Sequence, residues 1–162
     1  MNHAFKPDHV DLIELMFFAY RDFTGDPDAL LEKDGFGRAH HRVLHFVGRN
    51  PGLTVAELLA ILGITKQSLA RVLKELIDRG HISQTTGQND RRQRQLFLTA
   101  TGRDLAFELS APQSSRIANA LSNLGESRSD LSGAAIVRQF LRAMIDAEKR
   151  AQFDALQQPQ KE

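Results

Sequence analysis

The chain has 162 residues, of which 41% are hydrophobic and 25% charged, and a formal net charge of +1. That composition belongs to an ordinary globular protein with one sizeable core, either one domain or a small domain with appended helices. Cysteine is absent, which excludes disulfides, thiolate zinc sites and thiol redox sensing. No apolar run approaches the roughly 18 residues of a membrane span. Met1 to Asp8 lack the apolar core of a secretion signal, so the cytoplasm is the expected compartment and no membrane partner is expected.

A first helix is predicted from about Asp8 to Phe23. Leu12, Ile13, Leu15, Met16, Phe17, Phe18 and Ala19 lie nearly all round it, so it needs cover on more than one side. Gly25-Asp-Pro-Asp28 is expected to break or bend the chain, with a short extra turn at Ala29 to Lys33 before Gly35-Phe-Gly37. A second helix, Arg38 to Val47, offers Ala39, Val43, Leu44 and Phe46 to the core and ends at Gly48. Asn50-Pro-Gly52 reads as a turn.

The next fifty residues carry the strongest pattern. Thr54 and Glu57 form a capping box at the start of a short helix, Gly63-Ile64 makes a tight turn, and Thr65 opens a helix that runs to Arg79 and stops at Gly80. Leu69, Val72, Leu73, Leu76 and Ile77 form its apolar stripe. Lys66, Gln67, Ser68, Arg71 and Lys74 lie off that stripe, free to meet a partner. A short helix, a turn containing glycine and a helix with a polar, basic N-terminal half is the arrangement that reads a DNA major groove. A basic hairpin follows: strands at His81 to Thr86 and Gln95 to Leu98, turn residues at Gly87 to Asp90, and Arg91, Arg92 and Arg94 near the tip, placed to reach phosphates or the minor groove. Residues 100–123 form a long helix in which Pro112 predicts a kink near Ser110. After a loop at 125–130 a last helix is expected from about Ser132 to Leu156, then a polar tail.

Charge follows the same division. Residues 63–103 hold eight Lys and Arg against three Asp and Glu, a net of +5, whereas 1–62 sum to −3 and 104–162 to −1. A near-neutral chain thus concentrates positive charge on the segment shaped for double-stranded DNA. Lys66, Gln67, Ser68 and Arg71 are placed for base edges, Gln suiting adenine and Arg or Lys guanine. Thr54, at a helix N-terminus, is placed for a phosphate.

Asp90-Arg-Arg92, Leu98-Thr99 and Gly102 match a D-x-R…L-T-x-x-G signature, preceded by Leu-Gly-Ile-Thr-Lys-Gln-Ser-Leu-Ala-Arg-Val-Leu at Leu62 to Leu73. On these residues the chain resembles the MarR family of bacterial winged-helix regulators. The resemblance implies that Arg92 enters the minor groove and Asp90 braces the wing. It implies a homodimer paired through the terminal helices, which exceed what a single winged helix needs. It also implies a small aromatic or anionic effector bound between those helices and the reading head, where Phe17, Phe36, His40 and His41 are candidates by position.

The fold class expected is therefore mainly α with a small β-hairpin: a winged helix-turn-helix at 37–99, flanked by dimerisation helices at 1–36 and 100–162. The function expected is a DNA-binding transcription regulator, a repressor at a palindromic promoter site. Two alternatives compete with it. One is a winged-helix protein-interaction module; the other is a metal-gated regulator using His41 and His45, four apart on one helix, with Glu32 or Asp34. The second lacks cysteine and a third ligand at fixed spacing, so no metal or cofactor is expected. No nucleophile elbow, P-loop or H-E-x-x-H motif is present, and Gly35-Phe-Gly37 lacks the third glycine of a dinucleotide fingerprint, so no enzyme is expected either.

Overall fold

The computed structural model describes residues 8–86, 93–122, 124 and 133–157. Its elements, in chain order, are α1 (Val10–Glu32), α2 (Arg38–Arg49), β1 (Leu53–Thr54), α3 (Val55–Leu62), α4 (Lys66–Asp78), β2 (Ile82–Thr86), β3 (Arg94–Leu98), α5 (Ala100–Ser122), α6 (Gly133–Ala143) and α7 (Ala147–Gln157).

The middle of the chain folds as its local signals dictate. Thr54 caps α3, its hydroxyl accepting from the Glu57 amide at 3.2 Å while the Glu57 carboxylate accepts from the Thr54 amide at 2.8 Å. Gly63 ends α3 at φ 60°, a left-handed conformation that glycine adopts without strain. Thr65 caps α4 through the Ser68 amide. Leu69, Val72, Leu73 and Leu76 of α4 are buried with Val43, Leu44 and Val47 of α2, Leu58, Ile82, Leu96 and Leu109. One core thus joins the helix-turn-helix to the sheet and to α5.

The sheet has three strands rather than the two of the expected hairpin. β3 lies in the middle, paired antiparallel with β2 (Ile82 opposite Leu98) and with the two-residue β1 (Leu53 opposite Leu96). β1 is too short to show a period in sequence, and it joins because the Gly52 amide already bonds the Leu96 carbonyl at 2.9 Å.

Two helical boundaries differ from expectation. Gly25-Asp-Pro-Asp28 does not break the chain: α1 runs through it to Glu32, with Pro27 buried. A proline at 27 leaves the Phe23 carbonyl without its usual intrahelical donor. The Gln113 side-chain amide of α5 donates to that oxygen at 3.1 Å, so the helix continues and α1 is tied to α5. The predicted last helix is two. α6 ends at Ala143 and α7 begins at Ala147, and Arg150 spans the break, its guanidinium donating to the Ile145 carbonyl at 2.9 Å and the Ala143 carbonyl at 3.0 Å. α5, by contrast, runs unbroken through Pro112.

Among the described residues the expected cover for the first helix is absent. Leu12, Ile13, Leu15, Met16, Phe17, Phe18 and Tyr20 are exposed on α1, Phe17 by 70%. Ile136, Val137, Phe140 and Leu141 of α6 are exposed as well. Among the described residues no helix is long and apolar enough to cross a membrane.

Candidate nucleic-acid interface

Because Leu69, Val72, Leu73 and Leu76 turn inward, the 3.6-residue period puts Lys66, Gln67, Ser68 and Arg71 on the outer face of α4, and all four are exposed. The Ser68 hydroxyl accepts from Thr65 at 2.9 Å, keeping its own proton free to donate. Among the described residues Lys66, Gln67 and Arg71 have no side-chain partner, so their donors and acceptors face solvent unspent. Thr54 differs: its hydroxyl donates to the Glu57 carboxylate at 2.7 Å as well as accepting from the Glu57 amide.

The cations of the +5 segment fall into two sets. Lys74 is paired with Asp78 one turn on. Arg79 lies over the Phe36 ring at 4.5 Å and donates to the Asp34 carbonyl, and Arg103 donates to the Leu98 carbonyl at 3.1 Å. These brace the fold. Lys66, Arg71 and Arg94 are exposed and have no side-chain partner among the described residues, Arg94 at the first residue of β3 where the wing descends. Asp90, Arg91 and Arg92 lie outside the described residues.

The wing root is built on Thr99 and Gly102. The Thr99 hydroxyl donates to the Gly80 carbonyl at 2.6 Å and accepts from the Gly102 amide at 3.0 Å, which caps α5 and joins it to the end of α4. Gly102 lies so close to the His81 backbone that a Cβ there would be 1.9 Å from the His81 oxygen. Only glycine allows that approach, which gives the last two letters of the wing pattern a packing reason.

Behind the reading face a cleft opens where α1, α2 and α5 meet, lined by Tyr20, Phe23, Arg38, His41, Arg42, His45 and Phe46, among others. Arg38 bonds Asp28 at 2.7 Å, and Arg42 donates to the Tyr20 hydroxyl at 3.2 Å. Burial holds His41 below the ordinary imidazole range, with His45 and Arg42 pushing the same way. Burial, and then Arg49, lowers His45 too. Of the four residues expected to line an effector site, only His41 borders this cleft. Phe17 projects from α1 into solvent, while Phe36 and His40 are buried, their rings stacked at 4.6 Å. His40 and His41, adjacent on α2, thus face different ways, His40 inward and His41 into the cleft. Arg38, Arg42 and His45 recur every three or four residues along α2, and that basic stripe was the available signal for the cleft. Among the described residues no three His, Asp or Glu side chains are grouped to hold a metal ion.

Residues 34–93 match the family model described as "MarR family". Over 144 residues the chain is 47% identical to the HTH-type transcriptional regulator PetP of Rhodobacter capsulatus, a likeness spanning 89% of this chain and 84% of that one. The chain belongs to the MarR family. MarR-family regulators also share its fold. Streptococcus pneumoniae FabT, solved in complex with DNA, superposes with a TM-score of 0.68 at 18% identity, covering 85% of this chain and 100% of FabT. A serine mutant of E. coli MarR complexed with operator DNA gives 0.60 at 17% identity, over 84% of this chain and 95% of that one. Membership makes the chain a transcription regulator rather than an enzyme, and makes α3 and α4 the helix-turn-helix with β2 and β3 as the wing.

Proposed function

We propose that this MarR-family regulator represses transcription by binding a palindromic promoter site as a homodimer, with α4 in the major groove and the wing arginines at the minor groove, under control of a small anionic or aromatic effector. The observation that carries the DNA reading is the set Lys66, Gln67, Ser68 and Arg71: polar and basic, exposed, with Lys66, Gln67 and Arg71 unpaired among the described residues and Ser68 keeping its hydroxyl proton to donate. Arg71 suits guanine and Gln67 adenine. Arg91, Arg92 and Arg94 add phosphate affinity and groove-width reading, with Asp90 bracing the wing. Thr54 contributes through the N-terminus of α3, where its amide and hydroxyl already answer Glu57.

The apolar faces of α1 and α6 support the dimer. Phe17 at 70% and Leu15 at 61% exposure are costly in water unless a second surface covers them. Residues 1–36 and 100–162 are assigned to that pairing and 37–99 to reading. Two-fold symmetry then sets two α4 helices about 34 Å apart, one turn of DNA. The cleft supports effector control: cationic Arg38 and Arg42 beside Tyr20, Phe23 and Phe46 suit an aromatic acid, and an occupant shifts DNA binding only by its differential affinity for the two states.

Binding to a duplex from the chain's own upstream region across a salt series tests the reading. Log affinity should fall with log salt by about 0.9 per phosphate contact. Arg71→Ala should cost about 1–3 kcal/mol on that duplex and much less on a scrambled one. Equal affinity for both duplexes in the unaltered protein would refute sequence reading by α4.

A further inference from the structure

His40 is used by nothing described so far, although it is a titratable group 7% exposed on the inner face of α2. Both of its ring nitrogens are committed. The Gly37 amide donates to Nδ1 at 3.0 Å, so Nδ1 carries no proton. Nε2 must then hold it, and Nε2 lies 2.7 Å from the Glu75 carboxylate of α4. Phe36 stacks on the imidazole at an interplanar angle of 23°, and the Arg79 guanidinium lies over the Phe36 ring. Arg79 also donates to the Asp34 carbonyl. Glu75 and Arg79 are one turn apart, so the C-terminal half of α4 is gripped at two successive points by the segment from Asp34 to His40. That segment joins α1 to α2.

We propose that His40 is a positioning residue for DNA recognition, fixing through Glu75 the tilt of α4 against α2 and hence where Lys66 to Arg71 meet the groove. The proposal rests on α4 being the reading helix. At a rise of 1.5 Å per residue, Lys66 stands about 13 Å along the axis from Glu75, so a tilt of about 10° about that point moves the reading end about 2 Å. A base contact must fall within about 2.7–3.2 Å, so such a tilt abolishes bidentate pairing. Nonspecific attraction to phosphates, acting over a Debye length of about 8 Å, hardly registers it. Packing of Leu69, Val72, Leu73 and Leu76 against α2 selects the class of crossing angle, with a scatter of about 15–20°. The hydrogen-bonded joint adds a directional contact that narrows it. It also lies between two surfaces: the turn of α2 that holds His40 inward carries Arg38 and His41 into the cleft.

The test compares His40→Leu, which fills the space and removes both bonds, with His40→Gln, whose amide can still donate to Glu75. Each is measured on the chain's own upstream duplex and on a scrambled duplex of equal composition, with thermal unfolding alongside. His40→Leu should lower affinity for the upstream duplex about tenfold, the worth of one half-buried bond to a charged group, and leave the scrambled duplex nearly unchanged. His40→Gln should recover most of the loss. A folded His40→Leu protein that keeps wild-type discrimination, or loses affinity for both duplexes equally, overturns the proposal. If His40→Leu does not fold, Glu75→Ala, at a side chain 41% exposed, must show the same selective loss, and wild-type discrimination there overturns it equally. Nitrogen-15 spectra of the imidazole should show the proton on Nε2, and a proton on Nδ1 overturns the geometry. A wild-type protein that discriminates neither duplex removes the reading-helix assignment and the proposal with it. A discriminating wild type beside a discriminating His40→Leu removes the proposal alone.

Discussion

Replacing Gly102 with alanine sets two effects against each other, and the structure decides which wins. On helix preference alone alanine gains up to about 1 kcal/mol over glycine. The added methyl, however, would lie 1.9 Å from the His81 carbonyl oxygen, 2.9 Å from its carbon and 3.2 Å from its Cα. A carbon needs about 3.3 Å from an oxygen, so the start of α5 must withdraw by about 1.4 Å. That movement drags away the Thr99 amide bonded to the His81 carbonyl at 3.1 Å and the Thr101 hydroxyl bonded to the Gly80 carbonyl at 2.9 Å. Overpacking costs about 1–3 kcal/mol and each weakened bond about 1 kcal/mol, so the net loss is about 3 kcal/mol after the helix gain. Urea unfolding followed by circular dichroism at fixed protein concentration measures it. With a slope of about 2 kcal/mol/M the midpoint should fall by about 1.5 M. An unchanged or raised midpoint would mean that helix preference governs the site and that the close approach carries no weight.

Gln113→Leu should cost about 1–2 kcal/mol by orphaning the Phe23 carbonyl. The cost should shrink in a Pro27→Ala background, where the helix supplies its own donor; an undiminished cost in that double-mutant cycle would rule out the link. His41 and His45 are depressed in the folded chain and relaxed in the unfolded one, so the unfolded chain binds more protons as pH falls through 6.5. Stability should therefore be full above that value and decline below it, and His41→Gln with His45→Gln should flatten the decline; an unaltered slope in the double variant removes these two groups as its source. An anion in the cleft favours the protonated imidazoles, so its affinity, read by calorimetry, should rise as pH drops from 7.5 to 6. If the proposed homodimer pairs through α1, Phe17→Asp with Leu15→Asp should leave helicity intact and shift the mass in light scattering from dimer to monomer, whereas an unchanged mass would remove this face from the pairing.

How much of this was legible in sequence depends on how local each determinant is. The caps at Thr54 and Thr65, the glycine turn at 63 and the stripe on α4 are set within a few residues, and they fold as the pattern predicts. The continuation of α1 through Pro27 depends on Gln113, 86 positions away, and no reading of 25–28 alone could anticipate it. The break between α6 and α7 carries neither glycine nor proline; its marker is a single guanidinium reaching back to two carbonyls. The same limit applies to the cleft and the joint behind it. The imidazoles at 40 and 41 look equivalent in a linear string, and only the rotation of α2 sends one to Glu75 and the other to the cleft.

The bond from Gln113 to the Phe23 carbonyl also has an evolutionary reading. Proline at 27 costs least in a chain that already holds a donor for the Phe23 carbonyl, so a glutamine at 113 eases the arrival of the proline. Once both are present, loss of the glutamine exposes the flaw that the proline made, so the path back must remove the proline first. Positions 27 and 113 should thus descend as a pair: lineages with another residue at 27 are free to vary at 113, and those that keep the proline are not.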